Sequence, residues 1–279
     1  MMNFYKMQGT GNDFIICQED IPEKTDWGSL AVKMCDRHFG IGSDGLIIIG
    51  KSSIADISMR MFNPDGTESE MCGNGIRCVG KLAYELGLST KPEISIETLG
   101  GILLRVWPIF EKTEITKVKV DMGLPILDPK QIPVNVGGNP PVVDYPITLG
   151  EFKFYLSFVS MGNPHAIAFI EDDVDQIDLS RIGPIIESHD LFPNKTNFSI
   201  VNILEKDHMK VRVWERGAGI TLACGTGASA SFVAAHIKGL VHDSARVDLP
   251  GGQLLIEWTG EESVYMTGPA ETVFKGSII

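Results

Sequence analysis

The sequence predicts an α+β fold built from two pseudo-symmetric copies of one domain, with many short strands wrapped on one buried helix per copy. Three observations carry this. Sliding the chain on itself by 152 residues sets Arg60-Met-Phe on Arg212-Val-Trp, Cys72-Gly-Asn-Gly on Cys224-Gly-Thr-Gly, and Gly87-Leu88 on Gly239-Leu240. A one-residue slip continues the match at Gly100-Gly101 on Gly251-Gly252, and a shift of 151 sets Gly11-Asn12 on Gly162-Asn163. Within each copy, short runs of period two bracket one stretch of helical period. The strands do not alternate singly with helices, so a doubly wound parallel sheet does not fit.

The elements follow in order. Ser29 to Arg37 reads as a helix and Leu46 to Ile49 as a buried strand. Ala55 to Phe62 alternates apolar and polar residues, as a half-buried strand does, and Lys210 to Trp214 repeats the pattern. Each Cys-Gly-x-Gly opens a helical stretch, Ile76 to Leu86 and Ala228 to Lys238, and each stretch ends at a Gly suited to the left-handed position after a helix. The second is rich in Ala228, Ala230, Ala234 and Ala235, as expected of a helix covered on most sides. Strands then return at Glu93 to Thr98 and Leu103 to Trp107, and again at Arg246 to Leu249 and Leu254 to Trp258. The Pro- and Gly-rich stretch Asp128 to Asp144 reads as the linker. The strand Val264 to Thr267 resembles Val118 to Met122, so the tail is expected to return to the first copy. The domains are then 1–122 plus 269–279, and 123–268.

Composition narrows the function classes. The 279 residues carry 24 Lys and Arg against 36 Asp and Glu, a net charge of −12 that disfavours nucleic acid and anionic membranes. No apolar run reaches the roughly 20 residues of a membrane span. The start MMNFYKMQGTGND lacks the apolar core of an export signal, so the expected location is cytoplasmic. The five cysteines, 17, 35, 72, 78 and 224, include no Cys-x-x-Cys pair, and the six His are scattered. Neither a disulfide framework nor a metal site is expected. Gly40-Ile-Gly42-Ser-Asp-Gly45 fits the glycine spacing of a dinucleotide fingerprint. A helix precedes it and a strand follows, the reverse of what a working fingerprint needs, so it reads as a helix-to-strand turn.

Cys72 and Cys224 stand apart. Both precede Gly-x-Gly at the start of a helix, where unpaired N–H groups and the dipole favour thiolate and can bind a carboxylate. Cys17, Cys35 and Cys78 read as small core residues. Pseudo-twofold symmetry would bring the two duplicated thiols to one cleft. One thiolate and one thiol on opposite faces of a carbon suit inversion of a stereocentre, one removing a proton and the other delivering one. Charge developing on an adjacent carboxylate would be stabilised by the helix ends. Polar residues gather at the same points: Asn12, Asn63, Asn163, Asn197 and the pair Glu215-Arg216. Arg forks onto carboxylates, Glu accepts from ammonium, and Asn amides do either.

These residues lie in motifs that resemble those of the diaminopimelate epimerases. The motifs are Gly9-Thr-Gly-Asn-Asp-Phe14, Phe62-Asn-Pro-Asp-Gly66, Met71-Cys-Gly-Asn-Gly-Ile-Arg77, Met161-Gly-Asn-Pro-His165, Thr196-Asn-Phe198, Glu215-Arg-Gly217, Ala223-Cys-Gly-Thr-Gly227 and Tyr265-Met-Thr-Gly-Pro-Ala270. The resemblance implies two domains, each a curled sheet around a central helix, with the site between them. It also implies interconversion of LL- and meso-diaminopimelate without a cofactor or metal, in lysine and peptidoglycan precursor biosynthesis. Cys72 and Cys224 would be the acid/base pair, assisted by His165 and Glu215. Asn12, Asn63, Asn163, Asn197, Glu215 and Arg216 would bind substrate, with Gly73-Asn74 and Gly225-Thr226 supplying helix-end contacts. A homodimer is implied, with no nucleic-acid or membrane partner. Two positions depart from the family pattern: Gly45 stands where many members carry Gln, and Phe274 where several carry a Tyr linked to dimer formation.

Two rival functions are distinguishable. Proline and hydroxyproline racemases share the two-cysteine logic but carry Cys-Gly-His where this chain has Cys72-Gly73-Asn74. A redox sensor would join Cys72 and Cys224 in a disulfide on oxidation and would not process diaminopimelate when reduced.

Overall fold

The computed structural model of the chain describes residues 2–19, 25–69, 73–150 and 152–278. The repeat is present in its backbone. The first half runs β1 (Met2–Gly9), β2 (Asn12–Gln18), α1 (Trp27–Cys35), β3 (Gly45–Gly50), β4 (Ile57–Phe62), β5 (Glu68–Ser69), α2 (Gly73–Glu85), β6 (Ile94–Glu97), β7 (Leu103–Glu111) and β8 (Glu114–Asp121). After β9 (Tyr145–Leu149), the same succession returns as β10 (Phe152–Ser160), β11 (Pro164–Phe169), α3 (Leu179–Glu187), β12 (Asn197–Glu205), β13 (His208–Glu215), β14 (Gly219–Ile220), α4 (Gly225–Ile237), β15 (Ser244–Leu249) and β16 (Gly252–Glu257). The chain closes with β17 (Tyr265–Pro269) and β18 (Glu271–Ile278). Two units result, Met1–Asp121 with Thr267–Ile279, and Met122–Met266.

Pairing repeats as well as order. In the first unit β1 and β2 are antiparallel, β2 and β3 parallel, β3 and β4 antiparallel, β4 and β6 parallel, and β6 and β7 antiparallel. In the second unit β10 through β16 reproduce each of those relations. The register repeats too: Phe14 faces Gly45 across the parallel pair of the first unit, and His165 faces Asn197 across that of the second.

Both faces of the central strands β3, β11 and β12 are covered, which explains the unbroken Leu46-Ile-Ile-Ile49 run. Leu46 and Ile48 pack with Trp27, Ala31 and Met34 of α1, while α2 lies against β1, β2, β3, β7 and β8. In the second unit α3 supplies Leu179, Ile182 and Ile186 to a cluster with Phe158, Phe198 and Ile200, and α4 contacts β10 to β13, β15 and β16. Each such aliphatic or aromatic side chain stabilises the fold by roughly 1.5–3 kcal/mol on full burial. The helices α1 and α3 start at equivalent aspartates: Asp26 accepts from the Ser29 N–H and Asp178 from the Ser180 N–H.

The helices α2 and α4 begin three residues before the apolar periodicity does, because Gly-x-Gly forms the first turn itself. Both end as expected: Gly87 and Gly239 have φ of 69° and 68°, and the next N–H bonds back to Ala83 and Ala235. The stretch 128–144 is more than a tether. Ile132 and Val134 are buried in the second unit's core, and Asn135 N–H donates to the Leu191 carbonyl at 2.8 Å. Proline and glycine exclude regular structure there, but the apolar residues between them still escape water. At 40–45, successive N–H groups fold back onto the carbonyls of Met34, Cys35 and Asp36, so the glycine-rich motif is the turn that closes α1. No helix among the described residues is long and apolar enough to cross a membrane.

Candidate active site

In the second unit the site grows from the N-terminus of α4. Cys224 is the residue capping that helix, with φ −118° and ψ 107°, and its Sγ accepts the Gly227 N–H at 3.3 Å. Glycine at 227 favours this approach, since a Cβ there would sit 3.2 Å from Sγ and 3.0 Å from Val213 Cγ2, closer than side chains ordinarily pack. Thr226 Oγ1 lies 3.5 Å from Sγ and accepts from Asn163 Nδ2 at 3.2 Å. Asn163 Oδ1 lies 3.0 Å from His165 Nε2, in the loop that opens β11. Beside it on β12, Asn197 donates to Pro164 O at 2.8 Å and accepts the Arg216 N–H at 2.9 Å. Glu215 ends β13, where Thr221 donates to its Oε1. Asn163, His165, Asn197, Glu215, Arg216, Cys224, Gly225 and Thr226 therefore form one connected group.

Electrostatics there correct one expectation. The helix terminus was expected to favour thiolate, and the Gly227 N–H and Thr226 do act in that direction. Burial of Cys224 outweighs them, and Glu215 adds to it, so the thiol is pushed well above its ordinary value. Burial also raises Glu215, against the lowering effect of the Thr221 hydrogen bond. His165 is fully buried and held neutral: desolvation, aided by the Arg216 charge, lowers it to about 3. Arg216 itself is exposed, with Nη1 donating to Asn194 O at 3.0 Å.

The first unit has a related but different arrangement. Asn74, in the first turn of α2, donates to Asn12 Oδ1 at 3.3 Å, the counterpart of the contact between Thr226 and Asn163. Arg77 is fully buried and ties three segments, donating from Nε to Pro269 O, from Nη1 to Gly73 O and from Nη2 to Thr10 Oγ1, at 3.1, 3.1 and 3.0 Å. Thr10 and Gly11 form the hairpin turn with φ of 52° and 84°. A β-branched residue is strained there, and the Arg77 and Asn74 contacts to its hydroxyl hold it. The Asn63 side chain bonds within its own turn. Its Nδ2 donates to Thr67 Oγ1 at 3.0 Å, within the β4–β5 turn. Cys72 lies outside the described residues. At Gly45 a Cβ would meet Met61 Cε at 3.0 Å and Phe62 O at 3.2 Å, so Met61 occupies the room a side chain would need.

Three contributors were missed from the sequence: Thr221, Arg77 and Asp44, whose Oδ2 accepts from Asn12 Nδ2 at 2.6 Å. Thr221 and Arg77 lie close to or within the cysteine motifs, which was their only signal. Asp44 was set aside with the fingerprint-like turn. Among the described residues no three His, Cys, Asp or Glu side chains converge as metal ligands.

Residues 4–127 and 157–273 match the diaminopimelate epimerase family. The chain is 50% identical over 278 residues to the diaminopimelate epimerase of Methanococcus maripaludis, covering 99% of both. It is 50% identical over 279 residues to that of Carboxydothermus hydrogenoformans, covering 99% of this chain and 98% of the other. A Bacillus anthracis phenazine biosynthesis protein of the PhzF family has a similar structure, with a TM-score of 0.72 at 18% identity over 100% of this chain and 99% of that one. So does a hydroxyproline epimerase from Agrobacterium vitis, with a TM-score of 0.70 at 16% identity over 99% of this chain and 90% of that one. At such identities the likeness is one of fold. The matched family and the full-length relatives agree with the motifs: the chain belongs to the diaminopimelate epimerase family.

Proposed function

We propose that this protein interconverts LL- and meso-diaminopimelate by a two-cysteine, cofactor-independent proton transfer, working as a cytoplasmic homodimer. The observation that carries the chemistry is Cys224 at the cap of α4, bonded to the Gly227 N–H and flanked by Thr226 and Glu215, with Cys72 at the same place in the repeated sequence. Membership of the family and the names of the full-length relatives support the substrate.

In this reading one cysteine, as thiolate, takes the α-proton, and the electron pair left on carbon is delocalised into the adjacent carboxylate. The other cysteine, as thiol, delivers its proton to the opposite face. Atoms and charge balance, and the two thiols exchange protonation states. Burial and Glu215 push the Cys224 thiol up, which suits it to the part of proton donor. The N–H groups of the first turns of α2 and α4 stabilise the carboxylate as it gains charge. Asn12, Asn63, Asn163, Asn197, Glu215 and Arg216 hold the two amino-acid ends of the substrate. Neutral His165 fixes the Asn163 amide through Nε2.

The test is incubation of fully reduced protein with LL-diaminopimelate, following the isomers by chiral chromatography. Growth of the meso isomer to an equilibrium mixture is expected, unaffected by chelators. No conversion of diaminopimelate, with turnover of proline or hydroxyproline instead, would overturn the substrate assignment.

A further inference from the structure

The fingerprint-like turn before β3 has a use that its glycine spacing conceals. Its folded-back N–H groups and Gly42, at φ 82°, deliver Asp44 to the start of β3. There Asp44 and Asp13 clasp each other: Asp44 N–H donates to Asp13 O at 2.9 Å, and Asp13 N–H to Asp44 Oδ2 at 3.1 Å. The same Oδ2 accepts from Asn12 Nδ2 at 2.6 Å. Asp44 Oδ1 receives Arg37 Nη2 at 2.7 Å, and that guanidinium also reaches Asp13 Oδ1 at 2.7 Å, while Lys6 meets the other Asp13 oxygen. The carboxylate is thus held from the backbone side and the solvent side together.

Asn12 is gripped at both ends of its amide. Nδ2 faces a carboxylate oxygen, and Oδ1 faces the Asn74 Nδ2 donor in the first turn of α2. Rotating the amide by half a turn would set oxygen against carboxylate and N–H against N–H, two repulsive contacts in place of two hydrogen bonds. The second unit holds the equivalent Asn163 between His165 and Thr226, and the position matching Asp44 is Thr196, whose buried hydroxyl donates to Asn197 O at 3.1 Å. The two amides occupy the same step of the repeat and have different locks.

We propose that Asp44 is a positioning residue for the reaction: its carboxylate fixes the polarity of the Asn12 amide, with Nδ2 toward position 44 and Oδ1 toward Asn74. The substrate-binding part of this inference rests on the proposed role of Asn12.

A double-mutant cycle tests it, with Asp44→Ala, Asn12→Ala and the combination assayed on LL-diaminopimelate and melted thermally. Asp44→Ala is expected to lower kcat/KM by about ten- to a hundredfold, the value of one charge-assisted hydrogen bond, and to have no further effect once Asn12 is alanine. Asp44→Asn, which keeps an acceptor without the charge, is expected to recover part of the loss, and it serves as the probe if the alanine variant does not fold. Additive losses, or unchanged kcat/KM in Asp44→Ala and Asp44→Asn, would overturn the proposal. The side-chain amide signals of Asn12 in 15N-labelled protein give a readout independent of turnover: slow hydrogen exchange in the unmutated protein, fast in Asp44→Ala. If the unmutated protein converts no diaminopimelate, the functional reading fails by itself. The amide signals then decide the clamp, and unchanged exchange in the variants would refute it.

Discussion

The helices α2 and α4 stand at the same step of the repeat, each opened by Gly-x-Gly after a cysteine and closed by a left-handed glycine, yet their interiors differ in kind. The helix α2 buries the Arg77 guanidinium, which gathers Thr10, Gly73 and Pro269 around the first turn. The helix α4 is lined instead by alanines, and its counterpart of Arg77 is Ser229, whose hydroxyl has no hydrogen-bond partner among the described residues. Across the rest of the repeat the exchange runs the other way. Neutral Asn63 matches the carboxylate of Glu215, and apolar Phe14 matches His165. The backbone steps are kept while the charges are redistributed. The first unit carries a buried cation at its helix start and the second a raised carboxylate beside its thiol. A reaction needing one acid and one base is served by that inequality, whereas two identical sites would titrate alike.

The largest effect that could break the comparison comes from the cysteines. Cys72→Ala and Cys224→Ala should each lower kcat by about 10⁴-fold, the upper range for loss of a general acid or base, with circular dichroism unchanged. Near-full activity in either variant would mean that one half of the repeat does no chemistry.

Next come the two helix interiors. Arg77→Met should cost about 3 kcal/mol of unfolding free energy, because two buried acceptors and one part-buried acceptor lose a charged donor, whereas Ser229→Ala should stay within about 0.5 kcal/mol. Urea denaturation of the pair measures the difference, and equal effects would erase the contrast between α2 and α4.

His165 gives a pH signature that Phe14 cannot. The folded imidazole takes its proton only near pH 3, while in the unfolded chain it does so near its ordinary 6.5. Between those values the unfolded state binds more protons, so the contribution to stability is complete above pH 6.5 and is lost as pH falls toward 3. His165→Gln should accordingly lose less stability than the parent protein over that window, read as Tm against pH. Parallel curves would show that His165 is not held neutral.

The smallest effect sharpens the charge difference itself. In a Cys72→Ser background, Glu215→Gln should lower the pKa of Cys224, seen as faster alkylation at neutral pH, because a neutral amide no longer opposes the thiolate. An unchanged or higher pKa would leave burial as the sole cause.

Much of this architecture was legible from residues alone, because backbone requirements leave dense marks. Gly87 and Gly239 mark helix ends, Cys-Gly-x-Gly marks helix starts, and Leu46-Ile-Ile-Ile49 marks a strand covered on both faces. The matching Gly11-Asn12 and Gly162-Asn163 turns also marked the same step in both units. What stayed hidden depends on approach in space. The thiol of Cys224 was expected to ionise readily at a helix end, and its burial with Glu215 nearby reverses that. Asp44 was discounted with its turn, since sequence spacing does not reveal that the turn aims a carboxylate at Asn12. Ile132 and Val134 sat among prolines and glycines that read as a tether, and only packing shows them in the core.

The central claim is that two different groups handle the proton, and isotope fate tests it most directly. Reduced protein is incubated with LL-diaminopimelate in D₂O and stopped early, and the α-position of product and remaining substrate is read by NMR and mass spectrometry. The account predicts that the first meso product carries deuterium while the remaining LL isomer keeps its protium, because the acid that delivers is not the base that removed. Early meso product retaining the original proton, or LL isomer gaining deuterium as fast as product forms, would contradict it and place removal and return on a single group.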